Sequence, residues 1–198
     1  MRIAFIGLGV MGKPMAQNLQ RSGVGELALY DIDATRADSL VEKGARLAES
    51  VADAVNHADV VMTSLPGPKQ IDAVAFAGDG LFASIPSDAV WIDLSTNNLE
   101  VGGRIQQRAQ QDEIAILDAP VSGGDEGARA GNLTILVGGE AAVFQRCLPI
   151  LEIIGENITL LGPSGAGYSA KIAQVVLCYL HSLALSEALM LGVKGGVD

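Results

Sequence analysis

Six residues, Gly7-Leu8-Gly9-Val10-Met11-Gly12, narrow the fold before anything else does. Their spacing is G-x-G-x-x-G, and they directly follow the apolar run Ile3-Ala4-Phe5-Ile6. Behind them Met11, Met15 and Leu19 recur every fourth residue, which gives a helix one apolar face. Pro14 falls near the helix start, where few amide donors are needed. Strand, glycine turn and amphipathic helix in this order form the phosphate-binding unit of a doubly wound α/β domain. Gly7 permits the tight turn, Gly9 lets a pyrophosphate reach the backbone, and Gly12 lets helix and strand pack closely. Free amides of the turn, together with the helix dipole, then hold the phosphates.

The rest of the chain supports the same class. Strands are expected at residues 2–6, 27–30, 60–64, 90–93, 114–117, 133–137 and 158–161. Several are apolar at consecutive positions, as parallel strands covered on both faces are. Helix-compatible stretches lie between them, and Ser50-Val51-Ala52-Asp53 looks like a helix-opening cap. The expected architecture is a Rossmann-type, doubly wound, mostly parallel sheet over residues 1–162. A second segment, residues 163–198, reads as one long helix from Gly165 to about Val193. Its apolar stretch from Ile172 contains Gln174, His181, Ser186 and Glu187, so a buried helix is expected rather than a membrane span.

Composition excludes other classes. The net charge is −10 and only 4% of residues are aromatic, so the basic, stacking surface of a nucleic-acid binder is absent. Cys147 and Cys178 are far apart and read as buried thiols in a reducing compartment. His57 and His181 are isolated, so no metal site is expected. With a strand beginning almost at the first residue, no leader is expected, and a cytoplasmic location follows.

Asp31 ends the second expected strand. A carboxylate there accepts hydrogen bonds from ribose hydroxyls and repels a 2′-phosphate. The next residues, Ile32 and Asp33, include no Arg, so NAD is favoured over NADP. Asp33 reads as a helix cap. Leu65-Pro66 and Ser95-Thr96 each follow a strand, at the carboxyl edge where ligands gather in this fold. Thr96 can meet a cofactor or cap a helix. Ser122, Gly123 and Gly124 can hold a carboxylate or simply form a turn. Lys171 lies early in the apolar helix; either it snorkels to water or burial lowers its pKa for acid–base work.

Taken together, the segments resemble the β-hydroxyacid dehydrogenase family. Its marks are an N-terminal G-x-G-x-M-G-x-x-M-A-x-N-L, here Gly7 through Leu19, then D-A-P-V-S-G-G, here Asp118 through Gly124, then G-x-G-x-x-x-K, here Gly165 through Lys171. A fourth block is Gly131-Asn132-Leu133-Thr134 with Val137-Gly138-Gly139. The resemblance implies that Lys171 is catalytic and that Ser122, Gly123 and Gly124 hold a substrate carboxylate. It implies dinucleotide contacts from Gly7, Leu8, Gly9, Val10, Met11, Gly12, Asp31, Leu65, Pro66 and Thr96. The implied reaction interconverts a small 3-hydroxy acid and its semialdehyde with NAD, or alternatively NADP.

Two departures from the family pattern stand out. The family's K-x-x-N places an Asn where this chain has Gln174, which keeps the substrate-binding amide but lengthens it by one methylene. Family members also continue into an all-helical C-terminal domain that closes the cleft and often builds a dimer. That domain is expected to be missing here. Competing readings are an imine reductase or 6-phosphogluconate-dehydrogenase-like enzyme of the same architecture, and a dinucleotide-binding module without turnover.

Overall fold

The computed structural model describes residues 1–197; Asp198, the end of the second expected segment, lies outside them. The chain opens with β1 (Arg2–Ile6), α1 (Gly12–Ser22), β2 (Glu26–Tyr30), a 3-10 turn (Ala34–Ala37), α2 (Asp38–Val41), β3 (Arg46–Leu47) and α3 (Val51–Val55). It continues through β4 (Val60–Thr63), α4 (Pro68–Phe76), α5 (Leu81–Ser84), β5 (Val90–Asp93), α6 (Leu99–Gln111) and β6 (Ala115–Asp118). Then come β7 (Val121–Ser122), α7 (Gly124–Ala130), β8 (Leu133–Gly139), α8 (Ala141–Leu151), β9 (Gly155–Gly162) and α9 (Ala166–Lys194).

Among the described residues the nine strands form one sheet in the order β3-β2-β1-β4-β5-β6-β8-β7, with β9 beside β8. The six strands from β3 to β6 are parallel; β8 reverses against β6, and β9 runs parallel to β8. The order reverses between β1 and β4, the switch point where a doubly wound sheet opens a crevice. Along β1 the pleat sends Ile3 and Phe5 into one core and Ala4 and Ile6 into the other. Met15 and Leu19 of α1 and Phe144 and Ile150 of α8 complete the first core; Ile71, Trp91 and Ile105 fill the second. Both faces are therefore covered, which accounts for the continuous apolar runs. Ser50 caps α3 as expected, its Oγ accepting from the Asp53 amide at 3.0 Å.

Three expectations need correction. β3 and β7, of two residues each, are too short to show a period, and sequence reading missed them. The apolar helix α9 forms, but it is not buried: Leu177, Leu180 and Leu191 are 58%, 60% and 74% exposed. Only its first turns meet the sheet, with Gly167 and Tyr168 buried, because no other described element lies against the remainder. By length and composition α9 is apolar enough to cross a membrane. Cys178, on this helix, is accordingly exposed, whereas Cys147 is buried.

Candidate active site

Tyr30, Ile6, Thr63, Asp93 and Asp118 are successive Cα partners across five parallel strands. The loops after them therefore leave the sheet along one line. On that line stand Asp31, the glycine turn, Leu65-Pro66, Ser95-Thr96 and the segment leading to Ser122. Most of the residues singled out from sequence thus share one edge.

The glycine turn is built as its spacing requires. Gly7 has φ +94°, and its amide donates to the Tyr30 carbonyl at 2.9 Å. No atom lies within 4 Å of where a Gly9 Cβ would stand, so that face is open to a ligand. Val10 is 72% exposed beside it. The Leu8 amide donates to Asp31 Oδ2 at 2.6 Å, and the Asp33 amide donates to Asp31 Oδ1 at 2.9 Å. Asp31 thus ties the turn to the end of β2. Asp33 caps the 3-10 turn, accepting from the Thr35 hydroxyl at 2.6 Å. That hydroxyl is the largest cause holding the Asp33 carboxyl below its usual value.

Sequence reading overlooked Arg36, which the 3-10 turn returns to within 3.5 Å of Asp31 Oδ1. Arg36, Lys13 and Arg129 line a cleft of about 510 Å³ with Leu8, Gly9 and Val10. Arg36 is paired there with Asp31 and Asp33 and Arg129 with Asp125, while Lys13 stands at the open glycine face with no ion pair among the described residues, a lining that fits a dinucleotide diphosphate.

The next two loops are tied together: the Leu65 amide donates to Ser95 Oγ at 2.9 Å. Pro66 and Thr96 are exposed beside them. Of the two roles open to Thr96, capping belongs instead to Asn98, whose Oδ1 accepts from the Val101 amide at 2.8 Å.

Lys171 comes to the site through Asp118. That carboxylate accepts from the Gly165 amide at 2.7 Å and the Tyr168 amide at 3.0 Å, satisfying donors at the start of α9. Burial is the main influence on Asp118 and raises its carboxyl above the usual value; the amides oppose it. One turn on, Lys171 Nζ donates to Gln174 Oε1 at 3.1 Å, and Gln174 Nε2 donates to Ser122 Oγ at 3.0 Å. The longer Gln side chain here bridges lysine and serine. Desolvation lowers the Lys171 pKa from its ordinary 10.5. Gly123 (φ +133°) and Gly124 (φ +63°) turn the chain away from Ser122, and space beyond Gly124 is open.

Residues 2–162 match the family model for the NAD binding domain of 6-phosphogluconate dehydrogenase. Two Pseudomonas aeruginosa proteins are each 41% identical over nearly the whole chain, an NAD-dependent L-serine dehydrogenase and a 3-hydroxyisobutyrate dehydrogenase. The chain spans 66% and 65% of their respective lengths. The solved structure of Mycobacterium tuberculosis 3-hydroxyisobutyrate dehydrogenase with L-serine superposes with a TM-score of 0.90 at 34% identity, covering all of this chain and 66% of that one. On these matches the chain belongs to the β-hydroxyacid dehydrogenase family and carries its NAD-binding domain.

Proposed function

We propose that this chain interconverts a small 3-hydroxy acid and its semialdehyde, with NAD as the hydride partner and Lys171 as general acid and base. The observation that carries the proposal is the Lys171–Gln174–Ser122 chain of hydrogen bonds, reached from the same sheet edge as the glycine turn. When bound, NAD supplies the hydride-accepting ring, and everything else is positioning and proton management. The turn from Gly7 to Gly12 holds the diphosphate, with Met11 at the mouth of α1. Asp31 meets the adenosine ribose, and Leu65, Pro66 and Thr96 flank the rest of the dinucleotide. Ser122, Gly123 and Gly124 hold the substrate carboxylate, and the Gln174 amide orients it.

During oxidation Lys171, as the free amine, takes the proton of the substrate hydroxyl. During reduction the ammonium returns a proton to the carbonyl oxygen. A partly desolvated amine suits both directions, since its pKa moves from the ordinary lysine value toward working pH. The substrate class follows from the relatives, which are named for L-serine and 3-hydroxyisobutyrate; both are small acids with a hydroxyl on the β carbon.

We place the functional boundary at Gly162, with residues 1–162 as the cofactor domain and residues 163–198 as a second segment, whose helix α9 delivers Lys171. With the helical C-terminal domain present, a homo-oligomer is expected, and the exposed apolar side chains of α9 are a surface for it to cover. Sedimentation of a form that carries that domain should then show a dimer or larger species.

The deciding experiment follows NAD⁺ reduction at 340 nm with a panel of L-serine, 3-hydroxyisobutyrate, glycerate, 4-hydroxybutyrate and phosphogluconate. Turnover of a β-hydroxy acid that disappears in Lys171→Ala supports the proposal. NAD binding without turnover of any panel acid would sink it in favour of a non-catalytic dinucleotide module.

A further inference from the structure

Asp93 ends β5, is fully buried, and no cation among the described residues reaches it. Burial pushes its carboxyl above the usual value, opposed only by neutral hydrogen-bond donors. A carboxylate is a costly choice in such a place, where an apolar or amide side chain would fill the same volume. What distinguishes it is reach in two directions. Oδ1 accepts from the Thr63 hydroxyl at 2.7 Å and the Ser95 amide at 3.2 Å. Oδ2 accepts from the Tyr168 hydroxyl at 2.6 Å.

Each arm leads to a different half of the site. Ser95 Oγ accepts from the Leu65 amide at 2.9 Å, so the first arm fixes the loop after β4 that flanks the dinucleotide. Trp91 Nε1 donates to Thr63 Oγ1 at 2.9 Å and locks the hydroxyl that serves this arm. The second arm ends on Tyr168, in the buried first turn of α9, three positions before Lys171. The Tyr168 ring is seated against α6: a Cβ on Gly102 would come within 2.9 Å of it. Gly102 leaves the tyrosine room to reach Asp93.

We infer that Asp93 is a positioning residue that couples the Leu65 loop to the start of α9, holding the Lys171 amine and the dinucleotide in one register. The inference rests on the catalytic reading of Lys171 given above. The carboxylate touches neither substrate nor cofactor; it acts through Ser95 and Tyr168. Two oxygens that each need strong donors specify both neighbours at once, which a core of apolar side chains does not do.

The test uses this chain with Tyr168→Phe, which removes one oxygen and keeps the ring, and Ser95→Ala, which cuts the other arm. Ser169→Ala is the control: it deletes an exposed hydroxyl that bonds only to the Gly165 carbonyl of its own helix. Amide hydrogen exchange reads the coupling without requiring activity. In Tyr168→Phe, exchange should quicken about tenfold both at residues 165–172 and at the distant Leu65 amide. Ser95→Ala should loosen the same two segments. With NAD and the best panel acid, Tyr168→Phe should lower kcat roughly tenfold to a hundredfold while NAD Kd stays within about threefold. Ser169→Ala should change none of these. Faster exchange confined to α9 in Tyr168→Phe, or a kcat within about twofold of the parent, overturns the inference. If the parent oxidises no panel acid, the catalytic reading falls, while exchange at Leu65 still decides whether Asp93 couples the two loops.

Discussion

Alanine at Gly12 and alanine at Gly9 should separate folding from cofactor binding within one six-residue turn. A Cβ on Gly12 would overlap the Gly7 carbonyl oxygen, and would stand 3.0 Å from the Gly7 carbonyl carbon and 3.2 Å from Phe5 Cε1. Relaxed carbon–carbon contacts begin near about 3.5 Å, so α1 must slide by roughly half an ångström or more against the turn. Overpacking of this kind costs about 1–3 kcal/mol. For a chain near this length each kcal/mol is about 2–4 °C, so Gly12→Ala should lower Tm by about 2–12 °C. At Gly9 no atom stands within 4 Å of the added methyl, and the residue is not among the positive-φ glycines. Gly9→Ala should keep or slightly raise Tm, since alanine restricts the unfolded chain by about 0.4–1 kcal/mol. Its methyl stands where the pyrophosphate must approach, however, and a loss of about 1.4 kcal/mol there weakens NAD about tenfold. Thermal melts and calorimetric NAD titrations on both variants measure the two effects separately. A Gly9→Ala protein that binds NAD as tightly as the parent would refute the pyrophosphate reading. So would one that melts as early as Gly12→Ala.

Further outcomes follow from the same edge of the sheet. Lys171→Arg keeps the charge but cannot lose its proton near neutral pH, so oxidation in stopped-flow assays should fall to the level of Lys171→Ala, with NAD affinity changed less than about threefold. Because desolvation lowers the Lys171 pKa, the rate of oxidation should rise with pH through a midpoint below 10.5, and reduction should fall through the same range. A rising limb unchanged in Lys171→Ala would assign the titration elsewhere. Asp31→Ala frees the Leu8 amide and removes the ribose acceptor, so competitive titration should show NAD weakened more than NADP, with Arg36 left to meet a 2′-phosphate. Gln174→Asn shortens the bridge and parts Lys171 from Ser122, so KM for the hydroxy acid should change severalfold while NAD Kd holds.

What was legible in the sequence was what repeats or what is locally dictated. Val60, Val61, Met62 and Thr63 are buried in succession, and such a run announces a strand covered on both faces. Gly7 and Gly12 could be assigned roles because a tight turn and a close helix leave no room for a side chain whatever the rest of the fold does. Ser50 and Asp33 were readable as caps because their partners lie two or three residues away. Lys171, Ser122 and Gln174 could be named through the family resemblance. Their hydrogen-bonded chain could not, since Ser122 and Gln174 are separated by 52 positions.

The residues that escaped share one property: their meaning depends on partners that only the folded sheet supplies. Asp93 looks like an ordinary strand-ending acid until β5 sets it opposite Thr63 and Asp118 in the register and α9 brings Tyr168 to it. Arg36 follows Asp31 by too many residues to be counted with it, yet a single 3-10 turn folds it back against the same carboxylate. The burial of α9 failed for the complementary reason. Apolar composition reports a preference for leaving water, and satisfying it takes a second surface. The described chain presents that surface only where Asp118, Gly138 and Gly167 crowd together at the helix start. The first turn of α9 is accordingly fixed by carboxylates whatever happens to the rest of the helix. A cover laid over its later turns therefore adds area and closure to a lysine position that Asp93 and Asp118 have already set.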